Sequence, residues 1–523
     1  PAPAPTAGAT VYQLQCAVCH NAAGEGIANL FPPLAASDYL VADKARSIRI
    51  VLEGLSGPIK VNGADHNNVM PAAGASLDDD QVAAVLTHVR ASWGNHGDTV
   101  TPAEVARVRA TLAPTGGGPQ KADPFAPLPA APAGFRLRDL AHLPAKTIRF
   151  VTAPGAGWLI LLGEKGDLYR LDLATAAITH LLAAKDYADV AAGTFAPLGL
   201  TIDSARRLYV VTNQQVPATP HHLNRVIIFR SAPLDATGTP AQLKPWFQTS
   251  YPWGNNYYNH GVGNIAEGPD GLMYVTSGSR TDGGEVNGGV AGQASIYWKG
   301  AETEITAALW RLDPKSEKPA LEVFARGIRN AWTFAWNDRG ELFSASNGPD
   351  ANVPEELDFV ERGKHYGFPY QYGEAPATAG HPYPYTQAAP AGLTFTPALR
   401  NLGPAAGGSP EKPMASFEPH SSPAGMIFCG PDWPEAYRGK FLLGRFGNFI
   451  TQPDVGYDLL TLDLKKNAAG IYESRTETFL APLARPIDLL QVGKKLYILE
   501  YTRPIGTQTG RPMTPGRILE LSW

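Results

Sequence analysis

The sequence predicts a chain of two domains, a small all-α domain over residues 1–112 and an all-β six-bladed propeller over residues 135–523. Three observations predict this. Helical periodicity is confined to the start, as in the amphipathic run Ser76–Val89, with a Ser cap and three acids in its first turn. Residues 113–134 are a Pro/Gly/Ala stretch without periodicity, which reads as a linker. Beyond it, short apolar runs recur between Gly, Pro, Asn and Asp clusters, and helical periodicity almost disappears.

The recurring runs are of two kinds. One carries a Leu/Met–Tyr/Phe pair after a turn: Arg207–Val211, Gly271–Val275, Gly340–Ser344 and Lys495–Leu499. The other alternates like an outer strand: Asp167–Leu171, Arg225–Phe229, Ala308–Leu312, Leu459–Asp463 and Arg517–Leu521. Spaced repetition of strands reads as a propeller, and a period of about 65 residues gives about six blades. The final strand, Gly516–Leu521, is expected to close the ring against a first strand near Lys146–Val151.

The 523 residues are 44% hydrophobic and 18% charged, enough to bury substantial cores. Net charge is −4 and pI about 6.3, which argues against a nucleic-acid partner. No apolar run reaches the length of a membrane-spanning helix. The opening Pro1-Ala2-Pro3-Ala4-Pro5 reads as a mature terminus left by signal cleavage.

Cys16-Ala17-Val18-Cys19-His20 is the densest chemical signal. C-x-x-C-H attaches haem c: Cys16 and Cys19 bind the porphyrin and His20 binds the iron. A zinc site would need a fourth ligand, and the one other cysteine, Cys429, is far away. A redox dithiol would open a helix after a strand, whereas these flanks read as a short helix entering a Gly-rich loop. With both motif cysteines spent, Cys429 is left unpaired. Met70 is the one methionine of this domain and the expected sixth ligand, ahead of His66, His88 and His96. His88 lies on the amphipathic helix, as a packing or surface residue.

The segment resembles the class I cytochrome c domain of bacterial quinoprotein dehydrogenases. Cys16–His20, Phe31–Leu34, Gly54–Ile59, Met70-Pro71 and Ser92–Asn95 carry the resemblance. It implies that the Pro33 carbonyl orients the His20 ring.

A second series runs from Ala325-Arg326-Gly327-Ile328-Arg329-Asn330 through Ser346-Asn347-Gly348-Pro349-Asp350 and Glu355-Glu356-Leu357-Asp358 to Gly363–Pro369. It resembles the glucose/sorbosone dehydrogenase family, six-bladed propellers that bind pyrroloquinoline quinone (PQQ) and calcium. The resemblance implies His260 as general base, ahead of Gly268-Pro269-Asp270-Gly271. It places Arg329 and Asn330 over the quinone, with Arg329 sharing in catalysis, and gives Arg445 and Arg485 to the PQQ carboxylates. The carbonyls of Gly348 and Pro349 would hold the cofactor Ca²⁺, while Glu356 and the Tyr366 carbonyl would hold a second, structural Ca²⁺. Pro197-Leu198-Gly199-Leu200, taken as the first-blade motif, lacks the family's usual polar residue, and Asn347 and Asp350 resemble the pyranose dehydrogenase branch.

The residue types agree with that chemistry. Carboxylates call for arginine forks, carbonyls suit a hard cation, and histidine suits general-base work. Trp253, Tyr257 and Tyr258 either floor a sugar site or pack the core. His221, His222 and His365 read as loop or capping residues.

These readings imply a periplasmic or secreted quinohaemoprotein that oxidises a sugar, polyol or related alcohol. It would hand electrons through haem c to a soluble cytochrome or copper protein. Two alternatives are a cytochrome cd1-like nitrite reductase, which needs eight blades and a second haem, and a non-catalytic propeller that docks a redox partner.

Overall fold

The computed structural model describes every residue except 1–7, 10, 13–15, 22, 27–30, 56, 68–69, 71–72, 75–76, 113–123, 192–193, 219–221, 255–258, 285–301, 350–352, 374, 377–387, 449–454 and 507–512, and only the backbone of 18, 19, 375 and 376. The chain divides into two compact units, one containing Pro1–Ala122 and the other Asp123–Asn287, Ile296–Thr507 and Thr514–Trp523.

Helices Ala17–His20, Asp38–Ala42, Lys44–Glu53, Asp79–Ala91 and Pro102–Thr111 build the first unit, with one hairpin, Ile59–Val61 against Ala64–His66. Polar caps set their starts. Ser37 accepts from Leu40 N–H and Asp43 from Arg46 N–H. The longest helix starts later than its sequence suggests, because its cap is Asp78 and not Ser76. Asp78 accepts from Gln81 N–H at 2.8 Å, and the Gln81 side chain accepts from Asp78 N–H at 3.0 Å. Tyr12, Ile48, Val82, Leu86, Val89 and Val105 form its core.

The second unit is a ring of six sheets, which removes the eight-bladed alternative. Blade one is Thr147–Val151, Trp158–Gly163, Leu168–Asp172 and Ile178–Leu182. The first strands of later blades are Phe195–Ile202, Val262–Glu267, Ala331–Trp336, Pro423–Phe428 and Pro486–Val492. These first strands contact one another in a closed circle, so they are the inner ones. Pro197–Leu200 thus lies in blade two. Among the described residues blade four has three strands, and blade five gains a fifth, Arg400–Pro404, parallel to Tyr472–Leu480.

The two kinds of run have fixed places. Tyr/Phe-pair runs are second strands of their blades, and alternating runs are third strands rather than outermost ones. Second strands are buried on both faces: Tyr209, Val275, Phe343, Leu496 and Leu499 are sealed between blades.

Ring closure differs from the expected pairing. The last strand, Pro515–Ser522, pairs with Arg136–His142, whereas Thr147–Val151 begins blade one. Blade six is therefore three C-terminal strands plus one from the start of the domain. The second half of the expected linker packs along that blade. Ala126 N–H donates to the Arg503 carbonyl at 2.8 Å, and Phe125 stacks on His142 at 3.9 Å between ring centres.

Candidate active site and haem centre

In the first unit His20 ends its short helix and is buried. Its Nδ1 donates to the Pro32 carbonyl at 2.9 Å, so the orienting oxygen belongs to Pro32 and not to Pro33. That bond leaves the lone pair on Nε2, the nitrogen an iron would take. Burial lowers the His20 pKa, which keeps the ring neutral for ligation. Gly26 adopts φ +66° beside Phe31 and Pro32, where a Cβ would lie 2.4 Å from the Phe31 carbonyl oxygen. The Gly-rich loop can therefore bring Pro32 against His20.

Met70 is half-buried on the apolar core with Cys16, Leu34 and Trp93, and is fixed by two 2.9 Å backbone bonds to Leu55. The side chain of Cys19 lies outside the described residues. His88 packs with Tyr12 and Trp93 and takes a Ser92 contact, as a packing residue would. His66 sits in the hairpin, its shielded ring nitrogens without hydrogen-bond partners among the described residues. A neutral, oriented imidazole beside an apolar wall fits haem c.

In the propeller the candidate residues gather at one end of the blades. The start of each inner strand pairs with the end of the second: Val262 with Ser277, Ala331 with Ser346, Pro423 with Arg445 and Pro486 with Glu500. His260, Arg329, Asn330 and Arg485 immediately precede inner strands. Asn347, Gly348 and Pro349 follow a second strand, and Arg445 ends one. Antiparallel blade geometry therefore collects residues far apart in sequence on one rim.

His260 is held through Nδ1 by Ser279, whose carbonyl is 3.0 Å and hydroxyl 2.9 Å away. Burial and the nearby Arg329 charge push its pKa down to about 3. Arg329 is buried: its Nε donates to the Asp282 carbonyl at 2.7 Å, one terminal nitrogen pairs with the Asp282 carboxylate, and the other donates to the Asn347 carbonyl at 2.9 Å. Gly278 lies between neighbouring parts of this group. A Cβ there would fall 2.5 Å from His260 Cβ and 3.3 Å from Asn330 Oδ1. Glycine thus lets His260 and Asn330 approach one another.

Gly348 N–H donates to buried Glu355 at 2.7 Å, and burial raises the Glu355 pKa to about 7. Glu356 accepts from Gly373 N–H at 2.7 Å. Its other oxygen and both Asp358 oxygens are buried without hydrogen-bond partners among the described residues. Burial drives both acids upward, Asp358 to about 8. Uncompensated buried carboxylate oxygens fit a hard cation. Among the described residues no three His, Cys, Asp or Glu side chains converge as a ready metal cluster. Tyr366 is buried, its hydroxyl donating to the Phe359 carbonyl at 2.7 Å.

The remaining arginines are held differently. Arg445 forks onto Asp458 at 2.9 and 2.7 Å and pairs with Glu418, so carboxylates of the protein itself occupy its three nitrogens. Arg485 donates to the carbonyls of Gly447 and Asn448 and lies against the Phe446 and Tyr457 rings. Trp253 is half-buried, and its carbonyl accepts from Arg280 at 2.9 Å. Tyr257, Tyr258 and Asp350 lie outside the described residues. The sequence does not single out Ser279 or Asp282, and it offers Glu355 only within the resemblance series, without a role. The polar run Ser277–Asp282, which begins at the end of a buried strand, is the visible signal for Ser279 and Asp282.

A small helical haem-motif domain joined to a six-bladed propeller with a His/Arg/Asn rim defines a class, and comparison with known proteins names its parts. Residues 5–93 match the cytochrome c family and residues 203–452 match the glucose / sorbosone dehydrogenase family. The N-terminal domain is 42% identical over 92 residues to cytochrome c-552 of Thermus thermophilus, covering 17% of this chain and 69% of that protein. It is 38% identical over 109 residues to the cytochrome c subunit of the quinone alcohol dehydrogenase of Gluconacetobacter polyoxogenes, covering 20% of this chain and 23% of that subunit. The chain thus spans less than a quarter of that subunit's length. A PQQ-bound aldose sugar dehydrogenase from Streptomyces coelicolor superposes with TM-score 0.48 at 19% identity, covering 75% of this chain and 99% of that one. The PQQ domain of pyranose dehydrogenase from Coprinopsis cinerea gives 0.49 at 15%, covering 76% and 98%. The chain belongs to the cytochrome c family through its N-terminal domain and carries a glucose/sorbosone dehydrogenase domain in its propeller. Haem c is accordingly the prosthetic group of the first domain.

Proposed function

We propose that the chain is a PQQ- and Ca²⁺-dependent sugar, polyol or alcohol dehydrogenase whose own cytochrome c domain relays the electrons. The observation that carries this reading is the convergence of His260, Arg329, Asn330 and the Gly348–Pro349 carbonyls on one rim of a propeller tied to a haem domain. When bound, PQQ supplies a two-electron acceptor and haem c a one-electron relay to an external soluble cytochrome or copper protein.

The chain's own residues have separable tasks. His260 Nε2 takes the proton of the substrate hydroxyl, being neutral at working pH. Arg329, held rigid by Asp282 and Asn347, presents a fixed cation beside it, and Asn330 adds an amide. The Gly348 and Pro349 carbonyls hold Ca²⁺, with Glu355 fixing the Gly348 backbone. Glu356 and the Tyr366 carbonyl hold a second Ca²⁺. Arg485, held by the Gly447 and Asn448 carbonyls, would hold the cofactor acids. Arg445, already paired with Asp458 and Glu418, contributes by shaping that wall. Haem c is attached outside the cytoplasm, which supports a periplasmic or secreted protein.

The test is reconstitution. Apo-protein with its haem is mixed with PQQ and Ca²⁺, and haem reduction is followed over a panel of aldoses, polyols and alcohols. Reduction is expected only with both additions. Full activity after exhaustive chelation, with no quinone detectable by mass spectrometry, overturns the reading. Binding of a redox protein without turnover of any substrate favours a docking propeller.

A further inference from the structure

Ser279 stands two residues beyond the strand Met273–Ser277 and is fully buried. It meets His260 three times. Its carbonyl accepts the His260 backbone N–H at 3.0 Å and lies 3.0 Å from Nδ1, and its hydroxyl lies 2.9 Å from the same nitrogen. The hydroxyl donates its one proton to the Thr281 carbonyl at 2.7 Å. A hydroxyl with its proton spent can only accept, and so can a carbonyl. Both oxygens therefore demand a proton on Nδ1.

We propose that Ser279 is a positioning residue for His260, holding it through two neutral oxygens in the Nδ1–H tautomer so that Nε2 is the basic nitrogen on the rim. The proposal rests on the reading of His260 as the base. Ser279 is itself fixed, because its N–H donates to the Arg329 carbonyl at 2.7 Å. Among the described residues the charge acting on the imidazole is Arg329, met by Asp282, while Glu302 accepts from the Arg280 and Thr281 N–H groups of the Ser279 loop. Neutral oxygens hold Nδ1–H without drawing a second proton onto the ring against the Arg329 charge. This agrees with a His260 pKa near 3. A carboxylate in place of the hydroxyl would stabilise the imidazolium and raise that pKa.

The experiment uses the full chain labelled with ¹⁵N-histidine, the His260 signals being assigned by their loss in His260→Ala. The expected spectrum has a protonated Nδ1 and an unprotonated Nε2 between about pH 5 and pH 8. Ser279→Asp should raise the His260 pKa and move the acid limb of kcat upward. Ser279→Ala should lower kcat about tenfold, the loss of roughly one hydrogen bond, with KM little changed, and Ser279→Thr should restore it. A proton on Nε2 in the wild-type spectrum overturns the proposal, as does Ser279→Asp with an unmoved His260 titration. If PQQ and Ca²⁺ elicit no oxidation of any substrate while the spectra behave as expected, the dehydrogenase reading falls and the positioning role stands on the spectra alone.

Discussion

At the scale of residues, burial and the Arg329 charge lower the His260 pKa from its ordinary 6.5 to about 3. A lowered histidine pKa means the neutral base persists as pH falls, so protonation of His260 should not limit kcat/KM above about pH 5. His260→Ala should cut substrate-driven quinone reduction by about 10²–10⁴-fold in stopped flow, with PQQ affinity little altered. In the other domain, Met70→Ala should abolish the Fe–S charge-transfer band at the red end of the spectrum and lower the haem potential. The band should survive in His66→Ala and His88→Ala, and its survival in Met70→Ala would assign the sixth ligand elsewhere. Residues that chemistry restricts to one type were legible in the sequence: the haem cysteines, His20, and the His260 and Arg329 motifs. Ser279 and Asp282 were not, and Glu355 stood in the resemblance series without a role. Serine and acids are common in loops, and only folding sets Ser279 against an imidazole or Asp282 against a guanidinium.

At the scale of elements, second and third strands could be told apart because a blade buries its second strand on both faces. The helix start was misplaced by two residues because Ser76, Asp78, Asp79 and Asp80 all resemble caps, and the reciprocal Gln81 bond selects Asp78. Arg445 shows a similar limit. The resemblance gives it to the cofactor acids, and the sequence does not show its protein partners: Asp458 comes from the next strand and Glu418 from a loop 27 residues earlier. Arg445→Met would leave buried Asp458 uncompensated, and urea unfolding of the apo-protein should report a loss of about 3–5 kcal/mol. Arg445→Lys keeps the charge but not the fork and should fall between. Unchanged stability in Arg445→Met, with PQQ affinity lost, would instead make Arg445 chiefly a cofactor ligand.

At the scale of the whole molecule, a ring needs devices that local sequence does not announce. Arg149, on the inner strand of blade one, donates to the carbonyls of Leu198 in blade two and Trp332 in blade four, and lies 3.7 Å from Asp488 in blade six. One side chain thus ties four blades across the axis. Closure was anticipated but its partner strand was misassigned, because Arg136–His142 follows directly on a Pro-rich stretch and Thr147–Val151 is the more apolar run. The observed pairing sets Leu137 against Leu521, while Arg138 bridges Glu520 at 2.9 Å. Arg517 reaches the Ala126 carbonyl at 2.7 Å and Glu500 at 2.6 Å. Residues 124–142 therefore belong mechanically to the propeller, and two truncations separate their role from that of the haem. A chain beginning at Asp123 keeps the strap and the closing strand. It should unfold at the midpoint of the propeller transition in the full chain, oxidise substrate with a small dye, and fail with a protein acceptor that the full chain reduces. A chain beginning at Pro144 exposes the unpaired edge of Pro515–Ser522. It should melt well below the first truncation or aggregate. Equal melting of the two would show that blade six closes without its N-terminal strand. Equal rates to a protein acceptor with and without residues 1–122 would remove the cytochrome from the electron path.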